Sequence, residues 1–301
     1  MANRPMSKFQ DGKMHIFTPS GWWGDQILNF FAINYCLNKY NYSGVIIHTA
    51  KDVLNPHHDL FYPANGDIFK FWSTFKFVKG IIFDMDQRTM YKDAEKSQYE
   101  WFPFLNEAIP SSYTYNLCQS IDFSLFPKSN FKMPFEERPI AVFQPISLEN
   151  KPKDSHEKFI CSWSKSVKML ISKGYAIYMI GGVDDQRLLE KWNYKLLEDR
   201  EFKEAVSKGI IKNFIGKLTM FEAIYLVMNR ASFVLSCCSW AAWYGIAARV
   251  KTAFCAGPVI EEGLDDRYIN LITNKDIFYM DYSSKKEYSD ESVSKWIREN
   301  A

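Results

Sequence analysis

The run Met14-His15-Ile16-Phe17-Thr18 is short and mostly apolar and reads as a strand. Behind it Ile27, Leu28, Phe31 and Tyr35 fall on one face of a helix that extends to about Lys39. Gly44-Val45-Ile46-Ile47-His48 follows after the short loop 40–43 and completes a strand–helix–strand unit, the crossover that parallel strands require. Between residues 51 and 135 aromatic runs, prolines and charges alternate without a sustained period, and Gly80-Ile81-Ile82-Phe83-Asp84 is the clear buried strand there.

Residues 131–139 have the character of a linker, with Pro134, Pro139 and charges between them, so the reading divides the chain into domains 1–135 and 136–301. The second half repeats a strand–loop–helix rhythm. Ile140-Ala141-Val142-Phe143-Gln144 is a strand, and Trp163, Val167, Leu170 and Ile171 form a helical stripe ended by Lys173-Gly174. Strand 175–180 runs into Gly181-Gly182, a charged helix continues through 191–208, and strand 210–215 leads to Gly216-Lys217-Leu218-Thr219. A helix with Phe221, Ile224, Tyr225 and Met228 on one face, strand 231–236, helix 239–249 and strand 250–255 complete the series. Five strands with interposed helices predict a doubly wound α/β domain. Residues 290–300, with Val293, Trp296 and Ile297 on one side, predict an amphipathic C-terminal helix.

Composition narrows the class. At 301 residues, 47% hydrophobic and 24% charged with net charge +2, the chain is neither disordered nor fibrous. No stretch reaches the roughly 20 apolar residues of a membrane-spanning helix, and the polar residues 1–13 lack an apolar signal core, so a cytoplasmic location is expected. The 6 cysteines are scattered, with Cys237-Cys238 the one adjacent pair, which argues against a disulfide or zinc framework. Near-neutral charge argues against a protein coated by nucleic acid and leaves a local basic patch open.

Ligands of open parallel sheets bind at the carboxyl ends of the strands, which directs attention to the loops there. Gly21-Trp22-Trp23-Gly24-Asp25 opens the first helix: its glycines permit close backbone approach, and Asp25 reads either as a helix cap or as a general base. In Gly216-Lys217-Leu218-Thr219, Thr219 with Glu222 is a capping box, whereas Lys217 ahead of a helix N-terminus reads either as a solvated lysine or as a cation awaiting a phosphate. Ser236-Cys237-Cys238-Ser239-Trp240 again joins strand to helix, and Ser239 reads as a plain N-cap or as part of a phosphate or sugar site. Gly181-Gly182 lies in a further such loop without making the dinucleotide fingerprint.

The ordered series Phe143-Gln144-Pro145-Ile146-Ser147, Ile180-Gly181-Gly182, Asn213-Phe214-Ile215-Gly216-Lys217-Leu218-Thr219-Met220-Phe221-Glu222, Val234-Leu235-Ser236-Cys237-Cys238-Ser239 and Phe254-Cys255-Ala256-Gly257-Pro258, with Gly24-Asp25 ahead of it, resembles the bacterial ADP-heptose:lipopolysaccharide heptosyltransferases. The resemblance spans most of the chain apart from residues 51–135. It implies a GT-B glycosyltransferase, with two Rossmann-like doubly wound domains facing across a cleft, acceptor on the N-terminal side and nucleotide-sugar on the C-terminal side. It further implies inverting, metal-independent transfer without a cofactor, with Asp25 as catalytic base. Donor contacts are implied at Ser147, at Lys151 or Lys153, at Gly181, Gly182, Lys217, Leu218 and Thr219, and at Cys238, Ser239 and Trp240. The chain departs from the family pattern Asp-Ser/Thr-Gly-x-x-His: Cys238 stands at the Asp place, Trp240 at the Gly place and Trp243 at the His place.

For the acceptor, Gly21, Trp22, Trp23 and Gly24 offer a pocket. The stretch Phe69-Lys70-Phe71-Trp72-Ser73-Thr74-Phe75-Lys76-Phe77-Val78-Lys79 interleaves aromatics with lysines, so that Lys70 and Lys76 could meet phosphates. A buried aromatic strand with solvated lysines explains the same pattern. Taken functionally, it points to an anionic acceptor, hydroxymethylated cytosine in phage-type DNA ahead of lipopolysaccharide core. Two other classes compete: a nucleotide- or glycan-binding protein without turnover, and a metal-dependent phosphatase using Asp84 and Asp86 at a strand end. His57-His58-Asp59 reads as a polar turn rather than a metal site.

Overall fold

Both sheets in the computed structural model are parallel throughout. The structure describes residues 12–17, 30, 33, 37, 42–50, 71–85, 100–101, 133, 135–145, 163–182, 185, 189, 198–237, 240–256, 276–281 and 290–301. The chain divides into two units, Met1–Pro127 and Lys128–Ala301.

In the first unit, β1 (Met14–Phe17), β2 (Val45–Ala50), β3 (Val78–Met85) and β4 (Glu100–Trp101) form a sheet in the order β3-β2-β1-β4. Met14, Val45 and Ile47 are fully buried, as expected for parallel strands covered on both faces. Among the described residues of this sheet, His15 and His48, on neighbouring strands, are buried with ring nitrogens 3.0 Å apart.

The aromatic–lysine stretch differs from the strand expected there. Residues 71–73 are helical, a turn follows, and β3 begins only at Val78. Thr74 Oγ1 donates to the carbonyl of Phe71, closing the turn. This geometry sends Phe71, Trp72 and Phe75 into the core, where Phe75 meets Phe30 and stacks on Phe77 at 5.3 Å. Burial of such rings stabilises the unit by about 1.5–3 kcal/mol for each side chain. Lys76 and Lys79 stay exposed, and the Lys79 ammonium donates to the Lys76 carbonyl.

The second unit contains β5 (Ile140–Gln144), α1 (Ser164–Ser172), β6 (Ala176–Met179), α2 (Arg200–Ser207), β7 (Ile211–Asn213), α3 (Met220–Asn229), β8 (Ala231–Cys237), α4 (Trp240–Ala247), β9 (Lys251–Ala256), β10 (Ile277–Asp281) and α5 (Asp290–Asn300). Two elements depart from the sequence reading. A sixth strand, β10, pairs with β9 beyond the five expected. The charged helix read through 191–208 is interrupted at Asp199, whose backbone is extended and whose carboxylate accepts from the amides of Glu201 and Phe202 to start α2.

The core lies between this sheet and its helices. Ala141, Phe143, Ile177, Phe233 and Leu235 meet Val167 and Leu170 of α1, and Val293 and Ile297 of α5. The expected C-terminal helix therefore packs here. Ahead of β5, in the stretch read as a linker, Glu136 takes two hydrogen bonds from the Arg138 guanidinium and one from Lys212 on β7. The Arg138 bonds, with Lys212 behind them, hold the Glu136 carboxyl at about 2. They also bind this segment into the second unit.

Candidate functional site at the carboxyl ends of β5 and β8

The second sheet runs β10-β9-β8-β5-β6-β7. Numbered within its own unit, that is the order 3-2-1-4-5-6 of dinucleotide-binding folds, read from the other edge. Strand order reverses between β5 and β8. The helices that follow these two strands must leave toward opposite faces, so a crevice opens where the chain departs at the carboxyl ends.

Two polar side chains mark this place. Gln144 is the last residue of β5 and Ser236 is its register partner on β8. Both are buried, and Ser236 Oγ donates to Gln144 Oε1 at 3.2 Å. The sequence reading placed neither in a role of its own. Their signal was a polar residue at the end of an apolar run, in Ile-Ala-Val-Phe-Gln and in Val-Leu-Ser.

Helix α4 starts at the same place, and Gly245 sets how closely it lies on the sheet. A Cβ at Gly245 would come within 2.8 Å of Thr252 Oγ1 and 2.9 Å of Val234 Cγ2, so a larger residue would push the helix off β8 and β9. Trp240, in the first turn, is half-buried and meets Tyr244 edge-on with centroids 6.1 Å apart.

Among the described residues, the loops after β6 and β7 are closed by their own contacts. After β6, the amide of Gly182 donates to Asp185 at 2.7 Å, and a Cβ at Gly181 would lie 2.5 Å from that carboxylate. Gly181 is thus required by the close approach of Asp185. After β7, Gly216 takes a left-handed backbone with φ +68° and its amide donates to the Gly181 carbonyl, tying the two loops together. Thr219 and Glu222 make the expected capping box at the start of α3. Lys217 is exposed and its ammonium donates to the Asn213 carbonyl at 2.9 Å, which offsets its place ahead of the helix. Leu218, beside it, is half-buried. Since β7 is the edge strand, this loop lies two strands from β5, about 10 Å at the usual spacing.

Other helix starts are closed as well. Asp199 caps α2, and Lys168 beside it holds its carboxyl at about 2. At α1, the Asp290 carboxylate accepts from the amides of Lys165 and Ser166. A cavity of about 160 Å³ lies between α1 and α2, bordered by Val167, Ile171, Phe202 and Ala205, and none of the expected site residues lines it.

Several expected site residues lie outside the described residues: Gly21, Trp22, Trp23, Gly24, Asp25, Lys70, Ser147, Lys151, Lys153, Cys238 and Ser239, together with Asp86 and the segment His57-His58-Asp59. Asp84 is in β3. Lys76 is on the surface of the first unit, and the described aromatics Phe71, Trp72 and Phe75 beside it are turned inward, so these three offer no stacking surface. Among the described residues no group of three or more His, Cys, Asp or Glu is arranged to hold a metal ion, and no helix is long and apolar enough to cross a membrane.

These parallel α/β units define a class of fold that solved structures share over nearly the whole chain. The E. coli heptosyltransferase WaaC with ADP matches at a TM-score of 0.56 and 12% identity, covering 96% of this chain and 100% of that one. E. coli ADP-heptose lipopolysaccharide heptosyltransferase II matches at 0.54 and 11% identity, over 95% of this chain and 98% of that one. A glycosyl transferase family 9 protein from Veillonella parvula DSM 2008 matches at 0.54 and 12% identity, over 96% and 98%. The family resemblance read from the sequence thus holds at the level of fold. No family model matches the chain, and no curated protein matches it in sequence.

Proposed function

We propose that the protein is a glycosyltransferase that moves a sugar from a nucleotide-sugar to an acceptor hydroxyl, by an inverting, metal-independent reaction. The observation that carries this reading is the fold likeness to two heptosyltransferases and a family 9 glycosyl transferase over at least 95% of the chain. The donor's diphosphate is assigned to the carboxyl ends of β5 and β8, near Ser147, Cys238, Ser239 and Trp240. Supporting this, α4 starts at the carboxyl end of β8, where strand order reverses.

In the reaction, Asp25 of the first unit accepts the proton of the acceptor hydroxyl as its oxygen attacks the anomeric carbon. The bond from that carbon to the diphosphate oxygen breaks, and the nucleoside diphosphate leaves. Lys217, by exchanging its Asn213 carbonyl for a phosphate oxygen, and the start of α4 stabilise the charge of the leaving group.

The acceptor is proposed to be an anionic carbohydrate such as a phosphorylated lipopolysaccharide core. The slight preference for DNA rested on the lack of a basic amphipathic helix in the sequence, and the fold likeness to an ADP-heptose lipopolysaccharide heptosyltransferase favours the carbohydrate instead. The decisive experiment measures release of nucleoside diphosphate from a panel of nucleotide-sugars with lipopolysaccharide core or hydroxymethylcytosine DNA as acceptor, using the native chain and Asp25→Asn. The variant is expected to keep donor affinity and to lose turnover by about 100-fold or more. Equal turnover by the two proteins, or none from any donor, ends the reading.

A further inference from the structure

We infer that Gln144 and Ser236 are positioning residues for a nucleoside diphosphate bound at the carboxyl ends of β5 and β8, an inference that rests on the glycosyltransferase reading above. The central strands of a parallel sheet are covered on both faces, and apolar residues satisfy that environment at lower cost than an amide and a hydroxyl. Along β5 and along Phe233-Val234-Leu235 the chain follows that rule, then breaks it on both strands at one register position. The break coincides with the point where strand order reverses.

The consequence is mechanical. Pro145 leads out of β5 directly after Gln144, and Cys237 ends β8 directly after Ser236. A hydrogen bond between the two side chains fixes the two strands relative to one another at this level, just ahead of both loops. A pair of apolar side chains would fill the same space without a directional constraint. A bond of this kind matters to a ligand gripped by groups from both loops, because small misplacements of binding groups are costly.

The test separates this role from a purely structural one. Replacing both partners by apolar residues of similar size removes their mutual hydrogen bond without burying one of the two opposite an apolar group. The double variant Gln144→Met/Ser236→Ala should keep a cooperative thermal transition. Calorimetric titration with ADP, UDP, GDP and CDP should show the tightest of them bound about tenfold more weakly. Ser236→Ala alone should weaken binding, and Ser236→Thr, which keeps the hydroxyl, should restore it, a readout that stands even if the double variant does not fold. Native affinity in the double variant, or in Ser236→Ala, overturns the inference while leaving the glycosyltransferase reading intact. Absence of binding of all four nucleotides by the native chain overturns both.

Discussion

Helices α1 and α3 both begin on the carboxyl side of the same parallel sheet, and their first turns are completed in opposite ways. Helix α3 closes itself: Thr219 accepts from the amide of Glu222, and Glu222 returns the bond to the amide of Thr219. Helix α1 carries no such residue. Trp163 precedes it in a left-handed conformation with φ 50° and no side-chain cap, and the carboxylate that takes the free amides of Lys165 and Ser166 arrives from Asp290, in the last helix. Ser166 also donates its hydroxyl to Asp290, and Lys165 pairs with Glu291. At the far end of α5, Lys173 donates to the carbonyl of Arg298 and Lys251 to that of Asn300. The lesson concerns coupling. Helix α3 can start wherever its own residues are, whereas α1 is complete only when the C-terminal helix is docked.

The sharpest way to break the comparison is to delete residues 290–301. The deletion takes away the cap together with Val293 and Ile297, both fully buried in the core. The combined loss is on the order of 5 kcal/mol or more, and the second unit should lose its cooperative thermal transition. If a truncated chain melts as the native one does, α1 does not depend on α5.

Acid offers a graded version. Asp199, which caps α2, and Glu136, which binds the segment before β5, both have folded values lowered to about 2 from 3.8 and 4.5 respectively. A lowered carboxyl value stabilises the fold above the unfolded value and is lost as pH falls through the folded one. Stability should therefore decline from about pH 5 toward pH 2, by about 2 kcal/mol for each group. Chemical denaturation at stepped pH checks this, and Glu136→Gln should flatten the decline.

Two single substitutions sharpen the comparison further. Asp290→Ala should cost about 1–2 kcal/mol and raise amide exchange in both α1 and α5. Thr219→Ala should cost about 1 kcal/mol and raise exchange in α3 alone. Equal and confined effects in the two variants would mean that both caps act locally.

Much of the second unit was legible because its strands are short apolar runs and its helices carry apolar stripes. Helix 290–300 and the capping box at Thr219 stand where the residue pattern put them. Strand β10 was missed although Asn274, Asp276 and Asp281 bound it, because a four-residue apolar run, Ile277-Phe278-Tyr279-Met280, fits a helical turn as well as a strand until it pairs with β9. The helical turn at 71–73 was missed because alternating aromatics and lysines fit a strand period as well as an inward-turned cluster. At the candidate site, the loops richest in glycine and lysine drew attention. In the structure, Gly181, Gly216 and Lys217 are engaged by their own neighbours, one strand from the buried polar pair for Gly181 and two for Gly216 and Lys217.

Residue order by itself settled what local periodicity and local side-chain chemistry can settle: alternating α/β elements, a self-capped α3 and an amphipathic last helix. Tertiary structure alone decided that Asp290 completes α1, that Glu136 binds Arg138 and Lys212, and that Gln144 meets Ser236 across β5 and β8. In the first, third and cross-strand cases the partners lie 124, 76 and 92 positions apart along the chain. Such contacts leave no period in the sequence, because the order in which strands join a sheet is fixed by packing of the whole unit rather than by any short stretch of it.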